Sequence, residues 1–282
     1  MKALQRVTFL SDFGWGGGYV AACEATIVRL CHDARVFHVS HEIPMGDVPA
    51  AALVLARVAP LYPEAVHVAV VDPGVGTARR PLALATARGD FLVGPDNGLL
   101  PDAGVALGGL VGGWSLDAGK LRAAAGLPAD VSNTFHGRDI FAPASALLAA
   151  GTDPRALGPS LDLATLVRLT PPLAGRAGDS VSAPVIEIDR FGNIGLGLPY
   201  GQAFPEGSAG QAAGRRFSVE IRGEGASEWT ARVVRTYGEL DPGELGLVQD
   251  SWGQAALALN GASAAEFLGV RRGAMITLTP AE

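Results

Sequence analysis

The chain holds only two cysteines, Cys23 and Cys31, among its 282 residues. Both fall on one predicted helix, where their separation spans about 12 Å. That exceeds disulfide reach, and a reducing, cytoplasmic compartment is the expectation. Neither stands at a metal-ligand spacing, and both read as small core residues. Basic clusters are scarce too. The longest is the dipeptide Arg79-Arg80, and the formal net charge is −6. Without a Lys/Arg stripe to neutralise phosphates, nucleic acid is excluded as the main partner. No apolar run reaches the about 20 residues that span a bilayer, which argues against a membrane protein. Met1–Arg6 leads straight into a strand pattern and does not read as a signal peptide. The chain lacks a Gly-x-Ser-x-Gly elbow and a His-Glu-x-x-His helix, against serine and zinc hydrolases. Gly14-Trp15-Gly16-Gly17-Gly18 fails as a dinucleotide fingerprint because Tyr19 stands where a glycine is needed, and no Gly-Lys-Ser/Thr follows it.

What is present is a core. Hydrophobic residues make up 48% and charged ones 18%, which excludes a disordered chain. The length suggests two domains or one large one. The first half alternates strands and helices. Strands are expected at Val7–Leu10, Val36–Val39, Ala65–Val71, Leu82–Thr86 and Phe91–Val93. Helices are expected at Tyr19–Leu30, Val48–Val58 and Phe141–Ala150. The run Ala65–Val71 is nearly continuous in β-branched residues, the mark of a strand buried on both faces. The whole predicts an α/β layered, Rossmann-like domain over residues 1–168 with a largely parallel sheet. Residues 169–179 have the Pro/Gly composition of a linker. Over 180–282, short strands between turn signals predict a small antiparallel barrel or sandwich.

Ligands of open α/β sheets bind beyond the carboxyl ends of the strands. Three polar segments stand there: Ser11-Asp12-Phe13-Gly14, Asp72-Pro73-Gly74-Val75-Gly76 and Gly94-Pro95-Asp96-Asn97-Gly98. Three such carboxylates together suggest a site, although Asp12 alone could cap the following helix and Asp96-Asn97-Gly98 could be a plain turn. Of the five histidines, His136 lies in a polar segment, Asn133–Asp139, just before a helix. It is a catalytic candidate if Asp72 and Arg79 come near it. His32, His38, His41 and His67 read as structural.

The ordered strings Phe9-Leu10-Ser11-Asp12-Phe13-Gly14, His41-Glu42-Ile43-Pro44, Val71-Asp72-Pro73-Gly74-Val75-Gly76-Thr77, Gly94–Leu100, Phe135–Pro143 and Asp189-Arg190-Phe191-Gly192-Asn193 resemble one family over nearly the whole chain. It is the S-adenosyl-L-methionine hydroxide adenosyltransferases, relatives of fluorinase and chlorinase. The resemblance implies an N-terminal α/β domain, a C-terminal β-barrel, and homotrimers with active sites between subunits. It implies attack of water or hydroxide on C5′ of S-adenosyl-L-methionine, giving adenosine and L-methionine. Asp72, Arg79 and His136 match the catalytic trio, with Arg80 as a rival for the arginine. Asp72 and His136 would accept hydrogen bonds from the water and take its proton, and Arg79 would orient the carboxylate. Because the sulfonium is already an activated leaving group, no metal or redox cofactor is expected.

The substrate contacts implied are Asp12 at the ribose hydroxyls and Phe135 and Tyr237 around the nucleoside. Asp189, Phe191 and Asn193 match the adenine and methionine-amine motif, and Ser251 the methionine end. Trp252 and Leu259 stand where the halogenating relatives have Arg. Those relatives also carry Tyr at Asp72, Thr at Val75 and Tyr-Ser at His136-Gly137. A halide wants hydroxyl donors and no adjacent carboxylate, so water is favoured here as nucleophile. Two alternatives are a halide-dependent adenosyltransferase and a non-catalytic nucleoside-binding protein.

Overall fold

In the computed structural model, the residues described are 3–170, 172–204, 212–222 and 229–281. Met1 and Lys2, part of the N-terminal reading, and Pro171, inside the stretch read as a linker, lie outside them. The chain divides into two compact units, Met1–Leu169 and Thr170–Glu282.

The first unit runs β1 (Arg6–Ser11), α1 (Tyr19–Leu30), β2 (Arg35–Ser40), α2 (Val48–Val58), β3 (Val66–Val70), β4 (Pro81–Thr86), β5 (Phe91–Pro95), α3 (Pro101–Ala106), β6 (Leu110–Ser115), α4 (Ala118–Ala124) and α5 (Ala142–Ala149). Its six-stranded sheet has the order β2-β1-β3-β5-β4-β6. Strands β2, β1, β3 and β5 are parallel; β4 runs antiparallel to both β5 and β6. The expected helices α1 and α2 carry the predicted bounds. The segments α3, β6 and α4 were not foreseen. Glycines at 104, 108, 109, 112 and 113 dilute the periodicity there.

Successive residues of a strand face opposite sides, and β3 uses both. Val66, Val68 and Val70 pack with Cys23 and Ile27 of α1 and with Ala144 and Leu148 of α5. Ala69 and Val71 pack with Ala51 and Leu55 of α2 and with Ala103 of α3. Both cysteines are free and buried. From β1 the chain crosses one way to β2 and back the other way to β3. The switch point of the sheet therefore lies at the carboxyl ends of β1 and β3, where such folds open a crevice.

His67 is fully buried and structural. Its ring bonds Thr8 Oγ1 at 2.7 Å and Asp90 Oδ1 at 3.2 Å. Asp90 also takes the Ala65 N–H and a fork from Arg88. Burial would raise the Asp90 carboxyl, but these donors outweigh it and hold it below the usual carboxylate range.

The second unit holds β7 (Gly175–Ala177), β8 (Ser180–Ile188), β9 (Ile194–Pro199), β10 (Arg216–Ile221), β11 (Trp229–Val233), β12 (Leu245–Gln249), β13 (Gln254–Leu259), α6 (Ala264–Leu268) and β14 (Met275–Ala281). The order β14-β10-β11-β12-β13-β9-β8 closes through a β14–β8 pairing into a seven-stranded barrel, with β7 added to β8. Strand β7 lies within the stretch read as a linker. Alternate residues such as Val181, Leu196, Phe217, Leu247, Leu257 and Ile276 fill the interior, as small barrels require. One pair departs from the antiparallel expectation: β11 and β12 are parallel. A parallel pair needs a crossover, here residues 234–244, and this excursion carries Tyr237. Among the described residues no helix is long and apolar enough to cross a membrane.

Candidate active site

The carboxyl end of β1 turns sharply at Ser11-Asp12-Phe13-Gly14. Asp12 is not a helix cap; Gly18, without a side-chain bond, stands at that position of α1. Instead, Asp12 Oδ2 accepts the Gly46 N–H at 2.8 Å. The Asp12 carboxylate thus ties the turn after β1 to the turn after β2 and lines a cavity of about 450 Å³. Asp72, just past β3, lines the same cavity with Pro73, Val75, His136 and Gly137.

The loop after β3 folds tightly. Val75 N–H reaches Asp72 O, and the Thr77 N–H and hydroxyl both reach Gly74 O. Gly76 has φ +78°, and a Cβ there would stand 2.7 Å from Asn133 O. Only glycine lets this loop press so closely on the segment that carries His136. The chain returns so that the Arg79 guanidinium lies on Asp72. Arg79 Nε is 2.9 and 3.0 Å from the two carboxylate oxygens, and Nη2 closes the fork on Oδ2. The same Nη2 donates to His136 Nδ1 at 2.8 Å. Only 10% of the Arg79 side chain and 6% of that of Asp72 are exposed. The Phe141 ring lies 5.2 Å from the Arg79 guanidinium carbon.

A guanidinium is only a donor, so His136 Nδ1 is the acceptor and the ring proton sits on Nε2. Burial and the Arg79 charge push the His136 pKa below the ordinary histidine range, which keeps this neutral form. His136 therefore offers a donor at Nε2, not the acceptor expected from the motif. Of the three side chains, Asp72 is then the one with lone pairs left to accept a further hydrogen bond.

The segment bearing His136 is anchored by Asp139. That buried carboxylate takes both arms of Arg138, at 2.8 and 2.9 Å, and the Ser132 N–H at 2.9 Å. Gly137–Phe141 form a single π-helical turn, Ala142 N–H reaching Gly137 O, before α5 begins. Such turns are common at functional sites. Gly137 faces Phe13 and Phe135; an added Cβ would stand 2.9 Å from Phe13 Cζ and 3.2 Å from Phe135 Cε2. Phe13, Tyr19 and Phe135 form an aromatic cluster with centroids 5.1 to 6.1 Å apart, Phe135 edge-on to both of the others.

The third polar segment is structural. Asp96 Oδ2 takes Arg80 Nε at 2.8 Å, and Arg80 also holds Thr165. Asn97 Nδ2 donates to Val71 O at 2.8 Å, bracing the strand end next to Asp72. Arg80 thus pairs with Asp96, and it is Arg79 that lies on Asp72. A larger hollow of about 540 Å³ lies between Arg29, Arg122 and Arg138. There Arg122 and Arg138 are committed to Asp139 and to backbone carbonyls.

In the barrel unit, Asp189 organises the turn after β8. Its Oδ1 takes the N–H groups of Phe191 and Asn193, and its Oδ2 the Asn193 amide. Phe191 is 75% exposed and Tyr237 51%. Burial, then the charges of Asp189 and Asp250, push the Tyr237 phenol upward. Ser251 is exposed in the β12–β13 turn, beside Trp252. Leu259 is buried in the barrel interior, so nothing at 259 offers a ligand contact.

Sequence reasoning missed Phe13, Met45, Gly46 and Thr134, all of which line the cavity. Phe13 sits inside the Phe9–Gly14 string, Met45 follows His41–Pro44, and Thr134 lies in the polar segment before His136, a signal of proximity without chemistry. Among the described residues no group of three or more His, Cys, Asp or Glu side chains could hold a metal ion.

Comparison with known proteins finds relatives in sequence and in fold. Residues 7–158 match the family model described as the SAM hydroxide adenosyltransferase N-terminal domain, and residues 183–277 match that of the C-terminal domain. A Salinispora tropica protein named (R)-S-adenosyl-L-methionine hydrolase is 45% identical over 273 residues, 97% of each chain. A fluorinase of an Actinoplanes species is 25% identical, covering 98% of this chain and 97% of its own. The crystal structure of an uncharacterized conserved protein from Thermotoga maritima superposes with a TM-score of 0.86 at 29% identity, covering 97% of this chain and 99% of its own.

Proposed function

The chain belongs to the SAM hydroxide adenosyltransferase family, and on that premise we propose that it hydrolyses S-adenosyl-L-methionine to adenosine and L-methionine. The observation that carries this reading is the Asp72–Arg79–His136 array in a cavity shared with Asp12. Water hydrogen-bonds to Asp72. Its oxygen lone pair forms the bond to C5′ as the C5′–S bond breaks. The bonding pair goes to sulfur, which leaves as the neutral thioether of methionine, and the water proton passes to Asp72. The sulfonium needs no acid to leave, so the site's task is to position and partly desolvate the nucleophile.

Arg79 holds the carboxylate in one orientation, and the neutral His136 presents Nε2–H to the oxygen of the attacking water. Asp12 supplies an acceptor for the ribose diol. Phe135 and Tyr237 take the nucleoside, and Asp189, Phe191, Asn193 and Ser251 take the adenine and methionine ends. The chemistry requires no metal or redox cofactor. Asp72 repels a halide, and neither Val75 nor Gly137 offers it a side-chain donor.

The proposed assembly is a homotrimer with active sites shared between subunits. The exposure of Phe191 and Tyr237 on the barrel supports it. Two free, buried thiols fit a reducing cytoplasm.

The test is incubation with S-adenosyl-L-methionine, with and without chloride, followed by chromatography of the nucleosides. Adenosine in both, lost with Asp72→Ala while adenosine binding persists, supports the hydrolase. A chloride-dependent nucleoside would make it a halide-dependent enzyme; binding without turnover would make it a nucleoside-binding protein.

A further inference from the structure

A chain of polar side chains runs from the surface of α1 to the turn that carries Asp12, and the reaction above does not use it. Phe13 N–H donates to Ser11 Oγ at 3.3 Å. Ser11 Oγ meets His41 Nδ1 at 2.7 Å, His41 Nε2 meets His38 Nδ1 at 2.8 Å, and His38 Nε2 lies 3.5 Å from Glu24 Oε2. Ser11 and His41 are fully buried. The His41 carbonyl also takes the Gly14 N–H at 2.8 Å. Residue 41 thus grips the turn at both ends, by its ring on Ser11 and by its backbone on Gly14. The Trp15 and Phe9 rings pack on the His41 ring at 4.7 and 4.8 Å and allow it no other place.

The carboxylate gives this chain a direction. Glu24 can only accept while ionised, so His38 presents Nε2–H to it and accepts at Nδ1. His41 then donates from Nε2 and accepts at Nδ1, and the Ser11 hydroxyl donates to it. Ser11 Oγ keeps a lone pair for the Phe13 N–H. In the opposite direction, the bare His38 Nε2 would face a carboxylate, and the Ser11 hydrogen would lack a partner in a buried site. Burial and the neighbouring His38 push the His41 pKa down to about 4, which fits a neutral ring.

We propose that Glu24, His38, His41 and Ser11 form a positioning relay that holds the Asp12 turn in the geometry that binds the ribose. The inference rests on the ribose role of Asp12 under the proposed function. None of the four is a catalytic residue; they act through the turn between Ser11 and Gly14 that carries Asp12.

The test is a double-mutant cycle read by calorimetric binding of adenosine and by steady-state kinetics. His38 is partly exposed, so His38→Leu can fold, and thermal denaturation checks that it does. His38→Leu should weaken adenosine binding about fivefold to tenfold and raise KM by a similar factor, with kcat changed less than about twofold. His38→Asn, whose amide oxygen stands near the place of Nδ1 and can accept from His41, should restore most of the affinity. In an Asp12→Ala background, His38→Leu should add almost nothing, because the group it positions is gone. Independent, multiplying losses would overturn the relay, as would a failed rescue by His38→Asn. Weakened binding with Asp12→Ala beside unchanged binding with His38→Leu would overturn the relay alone. Unchanged binding with Asp12→Ala would overturn the ribose assignment, and the relay's stated purpose with it.

Discussion

Arg79 joins His136 to Asp72: one guanidinium forks onto the carboxylate and donates its Nη2 to His136 Nδ1 at 2.8 Å. A single cation thereby sets the orientation of the Asp72 carboxylate and the tautomer of the histidine. Lysine carries the charge but not the fork. Arg79→Lys should therefore lower kcat by about 10²-fold to 10⁴-fold, with adenosine affinity changed far less. Single-turnover kinetics beside binding calorimetry separates the two; a kcat within a few-fold of the parent would remove Arg79 from the array.

The same bond predicts a titration. Burial and the Arg79 charge depress the His136 pKa, so the ring should take its proton below the ordinary midpoint of about 6.5. In Arg79→Met one depressing charge is gone, and the midpoint should rise toward the ordinary value. NMR of the imidazole signals follows both proteins, and an unchanged midpoint would mean the charge is not felt. The linkage has a definite sign. A folded pKa below the unfolded one means the unfolded chain binds the proton first. Stability is then full above about 6.5 and falls as pH drops toward the folded midpoint. His41, pushed to about 4, acts in the same direction over roughly pH 4 to 6.5. Tm should decline through that window.

Much of this was legible in the residues, for identifiable reasons. Helices α1 and α2 showed through their apolar spacing, and β3 through its β-branched run. Segments α3 and β6 did not, because Gly104, Gly112 and Gly113 break the pattern while Leu110 and Leu84 pack into the space they leave. Asp72, Arg79 and His136 were found through ordered motifs, since 57 positions separate Arg79 from His136. Arg79 and Arg80 could not be told apart by spacing. They diverge where β4 begins, Arg80 turning to Asp96 and Arg79 to Asp72. The relay was invisible for a similar reason: Ser11 and His41 meet only because β1 and β2 lie side by side.

Asp90 offers a control far from the chemistry. It satisfies His67, Arg88 and the Ala65 N–H in a buried position. Asp90→Asn keeps the shape but removes the charge that Arg88 pairs with. A loss of about 2 kcal/mol is expected, lowering Tm by about 4 to 8 °C for a protein of this size. Turnover per folded molecule at 25 °C should be unchanged. A normal Tm would show that the network contributes little.

Gly137 tests what separates water from halide as the nucleophile. The family resemblance gives the halogenating relatives a Ser at this position, and its hydroxyl would serve a halide. Here a Cβ at 137 would stand 2.9 Å from Phe13 Cζ and 3.2 Å from Phe135 Cε2, closer than side chains pack. The aromatic rings must shift, at a cost typical of overpacking, about 1–3 kcal/mol. The Asp72 carboxylate still lines the cavity and still repels an anion. Gly137→Ser alone should therefore lose hydrolysis, by about tenfold or more, without gaining halide-dependent product. Adding Asp72→Tyr removes the repelling charge but also the base, so the double variant should make no adenosine. Nucleoside chromatography over a chloride series reads both proteins. Halide-dependent product from Gly137→Ser would show that the hydroxyl, and not the absence of the carboxylate, decides the nucleophile.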